Sequence, residues 1–81
     1  MRIDKFLKNA RLIKRRTLAK EACDGGRVKL NGKTAKAGAE VAVGDRIDIQ
    51  FGASPISIRV ISLDEHVTKE ASKSLYEMIE G

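Results

Sequence analysis

Eight of the first twenty residues are cationic: Arg2, Lys5, Lys8, Arg11, Lys14, Arg15, Arg16 and Lys20. The chemistry open to them is the binding of phosphate. A lysine brings a mobile point charge to phosphate oxygens. An arginine brings a planar fork that holds one phosphate through two hydrogen bonds or stacks on a base. The charge is segregated as well as abundant. Residues 1–36 carry twelve Lys/Arg against three acids, a net of +9, and residues 37–81 carry four against eight, a net of −4. By composition alone such a run reads equally well as a solvated helix face. Its confinement to one end favours a built face, and the partner such a face fits is a polyanion, of which nucleic acid is the commonest in a cell.

Two short helices are predicted to position these groups. Ile3, Phe6, Leu7 and Ala10 fall at i, i+3, i+4 and i+7, one apolar stripe of a helix over 3–10. Lys5, Lys8 and Asn9 then face away from it. Asp4 lies in the first turn, where it suits the helix dipole or pairs with Arg11 or a nearby lysine. Residues 16–24 repeat the spacing with Leu18, Ala19, Ala22 and Cys23, which sets Arg16 and Lys20 together on another face. Gly25-Gly26 ends that helix. The link Arg11-Leu12-Ile13-Lys14-Arg15 makes the two a helix-turn-helix-like pair. The start of the second helix adds free backbone N–H groups that favour phosphate.

The period then changes. Arg27-Val28-Lys29-Leu30 alternates as a half-buried strand does, and Asn31-Gly32 signals a two-residue hairpin. Gly44-Asp45 marks a second turn. Ile47, Ile49 and Phe51 alternate with Asp48 and Gln50, and Ile56, Ile58, Val60 and Leu63 form a further strand after Pro55. Ala71, Leu75, Met78 and Ile79 return to helical spacing, which predicts a C-terminal helix over about 67–79. The expected class is α+β: two basic helices on a small, mostly antiparallel sheet, closed by that helix. Its plain role is to cap the sheet; its acidic side is the alternative surface for a protein partner.

At 81 residues the expected organisation is a single domain over 1–81, with a core motif at about 2–62. One cysteine, Cys23, excludes an internal disulfide. No apolar stretch reads as a signal peptide or membrane span, so a cytoplasmic location is expected. Enzyme chemistry finds no support. Cys23 sits on an apolar stripe with no histidine near it in sequence, His66 has no Cys or His at metal spacing, and no glycine-rich loop precedes a helix with Lys-Ser/Thr. Neither a metal nor another cofactor is expected. Phe6, Phe51 and Tyr76 are the only aromatics, and the first two fall on stripes read as buried. Base stacking is therefore disfavoured, and recognition of folded RNA by shape and backbone fits better.

Arg2-Ile3-Asp4-Lys5-Phe6-Leu7, Arg11-Leu12, Arg16, Ala19, Gly26-Arg27-Val28, Val41 and Gly44-Asp45 stand in the order seen in the ribosomal-protein-S-four type of RNA-binding domain, which the chain resembles over most of residues 2–50. In overall length it is similar to the small stand-alone bacterial members of that family that work in ribosome-associated quality control. The resemblance implies a non-enzymatic adaptor, expected to be monomeric, on an obstructed large ribosomal subunit. It would touch ribosomal RNA and the tRNA carrying the stalled chain, and would support a partner factor that adds residues to the C-terminus of that chain. Arg2, Lys5, Lys8, Arg11, Lys14, Arg15, Arg16 and Lys20 are the RNA-binding residues it implies. On this reading Arg16→Ala weakens RNA binding and leaves thermal stability nearly unchanged. One departure is Arg15, where many members carry a Ser or Thr that caps the second helix. The alternatives are a heat-shock-type recycling factor of the large subunit, an RNA-binding module serving an RNA-modifying enzyme in trans, and a DNA-binding helix-turn-helix regulator.

Overall fold

The structure is a computed structural model and describes residues 1–79. Helix α1 runs Ile3–Asn9 and α2 runs Arg16–Asp24. Strands follow at β1 (Val28–Leu30), β2 (Lys33–Thr34), β3 (Arg46–Phe51), β4 (Ser54–Val60) and β5 (Tyr76–Met78), with a 3-10 turn at Ala71–Leu75 before the last. Every neighbouring pair is antiparallel, in the order β2-β1-β3-β4-β5. The expected α+β architecture of two helices on an antiparallel sheet is what forms.

Both helices end in the same way. Arg27 N–H donates to the Ala22 carbonyl and Gly26 N–H to that of Cys23, with Gly26 at φ +79°. At the end of α1, Leu12 N–H donates to the Leu7 carbonyl and Arg11 N–H to that of Lys8. These paired bonds satisfy carbonyls that a helix end otherwise leaves open, and the residue between them must turn left-handed. At α2 that residue is a glycine. At α1 it is Arg11, at φ +57°.

The apolar stripe of α1 is buried as its spacing predicts: Ile3, Phe6, Leu7 and Ala10 lie against Val28, Ile47, Ile49, Ile58 and Val60 of the sheet in one core. Burying a large apolar side chain of this kind contributes about 1.5–3 kcal/mol. The stripe of α2 is narrower than expected. Ala19 and Cys23 are buried and Ala22 half-buried, while Leu18 remains exposed. Burial pushes the Cys23 thiol up to about 11, with the Asp4 and Asp24 carboxylates adding to the effect, so the sulfur stays a neutral packing group.

Asn31-Gly32 makes the predicted hairpin, with both residues at positive φ and Leu30 paired to Lys33. The Asn31 side chain does more than turn the chain. Its oxygen accepts from Arg46 N–H and its amide nitrogen donates to Asp45, which ties the hairpin to the Gly44-Asp45 turn. On the outer face of the sheet, Asp48 accepts from the Ser57 hydroxyl and from Arg46, and these partners hold its carboxyl below the usual range.

Three expectations need correction. Phe51 is 40% exposed, because β3 ends with it at the hairpin tip beyond the reach of the helices. Leu63 lies past the end of β4 rather than in it. The C-terminal helix over 67–79 does not form. The Ser72 and Ser74 hydroxyls donate to the carbonyls of Lys69 and Ala71, and Thr68 accepts from Ala71 N–H, so local side chains compete with an α-helical ladder and leave one 3-10 turn. Tyr76-Glu77-Met78 then pairs with Val60-Arg59-Ile58, covering the open backbone edge of β4. Glu80 and Gly81, which follow that segment, lie outside the described residues.

Candidate nucleic-acid interface

The start of the chain is clamped to residues 37–41. Ile3 N–H donates to the Ala39 carbonyl, Val41 N–H donates to that of Met1, and Arg2 bridges Glu40. This clamp draws the first turn of α1 inward and buries Asp4, whose side chain is only 5% exposed. One carboxylate oxygen accepts from Lys5 N–H at 2.8 Å and the other from Arg16 Nε at 3.2 Å, while Arg2 Nε stands 3.8 Å away. Asp4 thus pairs with Arg16 and Arg2, not with Arg11 or a lysine. The two arginine side chains remain about half exposed, at 48% and 53%. Arg16 is hydrogen-bonded through Nε and Arg2 turns its Nε to the same carboxylate at ion-pair range, which leaves the terminal nitrogens of both forks for a phosphate. A buried carboxylate therefore aims two guanidinium groups from separate helix starts at one place.

A second group of cations forms at the far end of α1. Lys8, Arg11, Lys14 and Lys69 line a cleft of about 280 Å³ together with the buried Ile13. Lys69 comes from the acidic half of the sequence, and no local pattern marks it. The remaining predicted residues are less tightly placed. Lys5 pairs with Glu65, which offsets part of its charge. Arg15 and Lys20 are exposed. Arg15 sits at the N-cap of α2 and provides no side-chain cap. The first N–H groups of α2 therefore stay open, adding positive potential beside the arginines. Asn9, expected to face away, is half-buried, and its amide nitrogen has no partner.

Asp4 was legible as a first-turn acid but not as an organiser. The available signal was its place between Ile3 and Leu7, on the edge of the buried stripe. Its burial also changes the reading of Arg16, which supports the fold as well as facing solvent. A cleft of about 200 Å³ on the outer sheet face holds Arg27, Lys29 and Arg46, but its Asp48, Ser57 and Arg46 already satisfy one another. Among the described residues there is no group of three or more His, Cys, Asp or Glu able to hold a metal, and no helix long and apolar enough to cross a membrane.

A family model for the S4 domain matches residues 1–47, which contain α1, α2, the Asn-Gly hairpin and the whole Arg2–Asp4–Arg16 cluster. The chain belongs to the S4 domain family. Relatives of this S4 protein include the RQC P-site tRNA stabilizing factor of Halalkalibacterium halodurans, 51% identical over 78 residues that span 96% of this chain and 89% of the relative. The factor of the same name from Bacillus subtilis is 46% identical over 79 residues, 98% of this chain and 92% of the relative. Among solved structures, the trimeric heat shock protein 15 of Vibrio cholerae superposes with a TM-score of 0.90 at 30% identity, over 98% of this chain and 81% of that one. That superposition reaches beyond the stretch matched by the family model and covers nearly the whole chain.

Arg11 carries a cost that its side chain must justify. A left-handed conformation strains a non-glycine residue by about 1–3 kcal/mol. Arg11→Gly is expected to raise unfolding free energy by about 1 kcal/mol, since glycine relieves the strain but loses more entropy on folding. The same variant should bind RNA more weakly. Urea denaturation and an RNA-binding titration check the two halves; a less stable Arg11→Gly would contradict the strain assignment.

Proposed function

We propose that this chain is a non-enzymatic, cytoplasmic RNA-binding adaptor of ribosome-associated quality control. In this reading residues 1–81 act as one unit on an obstructed large ribosomal subunit, contact ribosomal RNA and P-site tRNA, and steady that tRNA while a partner factor extends the stalled chain at its C-terminus. It works as a monomer. The observation that carries the reading is the pair of guanidinium forks, Arg2 and Arg16, fixed on buried Asp4. Two forks gathered on one buried carboxylate suit the phosphates of folded RNA, which is recognised by shape and backbone. The names of the relatives, which match this chain nearly end to end, supply the tRNA and its ribosomal site.

The test is sedimentation of a lysate through sucrose at moderate and at high salt. Phosphate contacts release counterions, and six to ten of them weaken binding by about 10³–10⁵-fold between 50 and 200 mM salt. The protein is expected in the large-subunit fractions at moderate salt and at the top of the gradient at high salt. A protein found at the top in both overturns the proposal. The likeness to heat shock protein 15 favours one second reading, a recycling factor of the large subunit. Purified large subunits with and without P-site tRNA test the tRNA contact: bound tRNA is expected to tighten association, and an affinity that tRNA leaves unchanged removes that contact from the adaptor reading.

A further inference from the structure

We propose that the cleft lined by Lys8, Arg11, Lys14 and Lys69 seats a single backbone phosphate of the bound RNA, as a site separate from the Arg2–Asp4–Arg16 cluster. This rests on the RNA-binding reading above and adds a contact to it. Four cations converge there, and no acid is among the lining residues. None of the four takes part in an ion pair among the described residues, in contrast to Lys5, Arg2 and Arg16. Like charges drawn together without a counterion repel one another, and an anion in the cleft relieves that repulsion.

The lining selects the kind of anion. All four polar side chains are donors only, so they match phosphate oxygens and cannot accept from the amino groups of a base. No aromatic is present to stack a base. A volume of about 280 Å³ has room for one phosphodiester with its waters. The backbone points the same way. The chain keeps a long cationic side chain at Arg11, at φ +57°, where glycine would turn without strain. Lys69 is brought in by the turn whose carbonyl Ser72 holds, so its place is fixed by the fold and not by α1.

The test uses the full chain and deacylated tRNA, titrated across a salt series. Lys69→Ala is expected to lower tRNA affinity about three- to tenfold and to make the salt slope shallower by just under one, the loss of about one phosphate contact. Lys73→Ala, an exposed lysine four residues on and outside the cleft, removes the same charge and should change neither. Amide shifts on adding inorganic pyrophosphate give an RNA-free readout. They should cluster at residues 11–14 and 69 in the wild type and shrink in Lys69→Ala. If Lys69→Ala behaves as Lys73→Ala while Arg16→Ala still weakens binding, the phosphate seat is wrong and the RNA reading stands. If the wild type ignores tRNA and large-subunit RNA at low salt yet pyrophosphate still shifts those amides, the anion site stands and the RNA reading falls.

Discussion

Arg16→Ala should lower affinity for tRNA or large-subunit RNA by about 10–100-fold, the effect of losing a charge-assisted hydrogen bond of about 1.5–3 kcal/mol. It should also destabilise the fold, which the sequence alone did not anticipate. Arg16 Nε is the nearest cation to a carboxylate that is 5% exposed, and without it Asp4 keeps only Lys5 N–H and the more distant Arg2. A buried charge left short of partners costs about 1–3 kcal/mol. The two effects separate in a double-mutant cycle. Asp4→Ala added to Arg16→Ala removes the stranded charge, so part of the stability returns while RNA binding stays weak. Asp4→Ala alone keeps the Arg16 charge but frees its aim, and should weaken binding less than Arg16→Ala does. Denaturant midpoints and RNA titrations on the three variants read this directly. A folded Arg16→Ala that binds RNA as the wild type does would remove Arg16 from the interface.

Phe6→Ala should be the most damaging single truncation. Phe6 is fully buried at the centre of the α1–sheet contact. Phe→Ala in such a site costs about 3–5 kcal/mol, against a total stability of about 5–15 kcal/mol for a domain. At about 4–8 °C per kcal/mol for a chain of this size, the thermal midpoint should fall by roughly 10–40 °C. Phe51→Ala is the matched control. Both phenylalanines sit on periodic apolar stripes, but Phe51 is 40% exposed at the tip of the β3–β4 hairpin. Its truncation should cost less than about 1 kcal/mol. Thermal melts of the two variants side by side decide this. Equal losses would mean that the hairpin tip is packed against something in solution.

These expectations show where local sequence is sufficient and where it is not. The α1 stripe, the Gly25-Gly26 helix stop and the Asn31-Gly32 hairpin were all legible, because each is decided by neighbours within a turn or two: side-chain period, or a backbone that must go left-handed. The C-terminal segment misled for the same reason in reverse. Its apolar spacing fits a helix, yet its serines bond back to nearby carbonyls and the open edge of β4 offers Tyr76–Met78 a ladder that no local pattern announces.

The site divides along the same line. The residues that carry charge, and their gathering in the first quarter of the chain, were set by the sequence, since composition and spacing are local facts. What the tertiary structure alone decided is how that charge is organised. The pairing of Met1–Ile3 with residues 37–41 buries Asp4 and so turns two surface arginines into an anchored pair. The turn before Ala71 delivers Lys69, fifty-five positions beyond Lys14, to a cleft of basic side chains. Burial and convergence of this kind depend on which distant segments share a core, and that is fixed only when the chain folds.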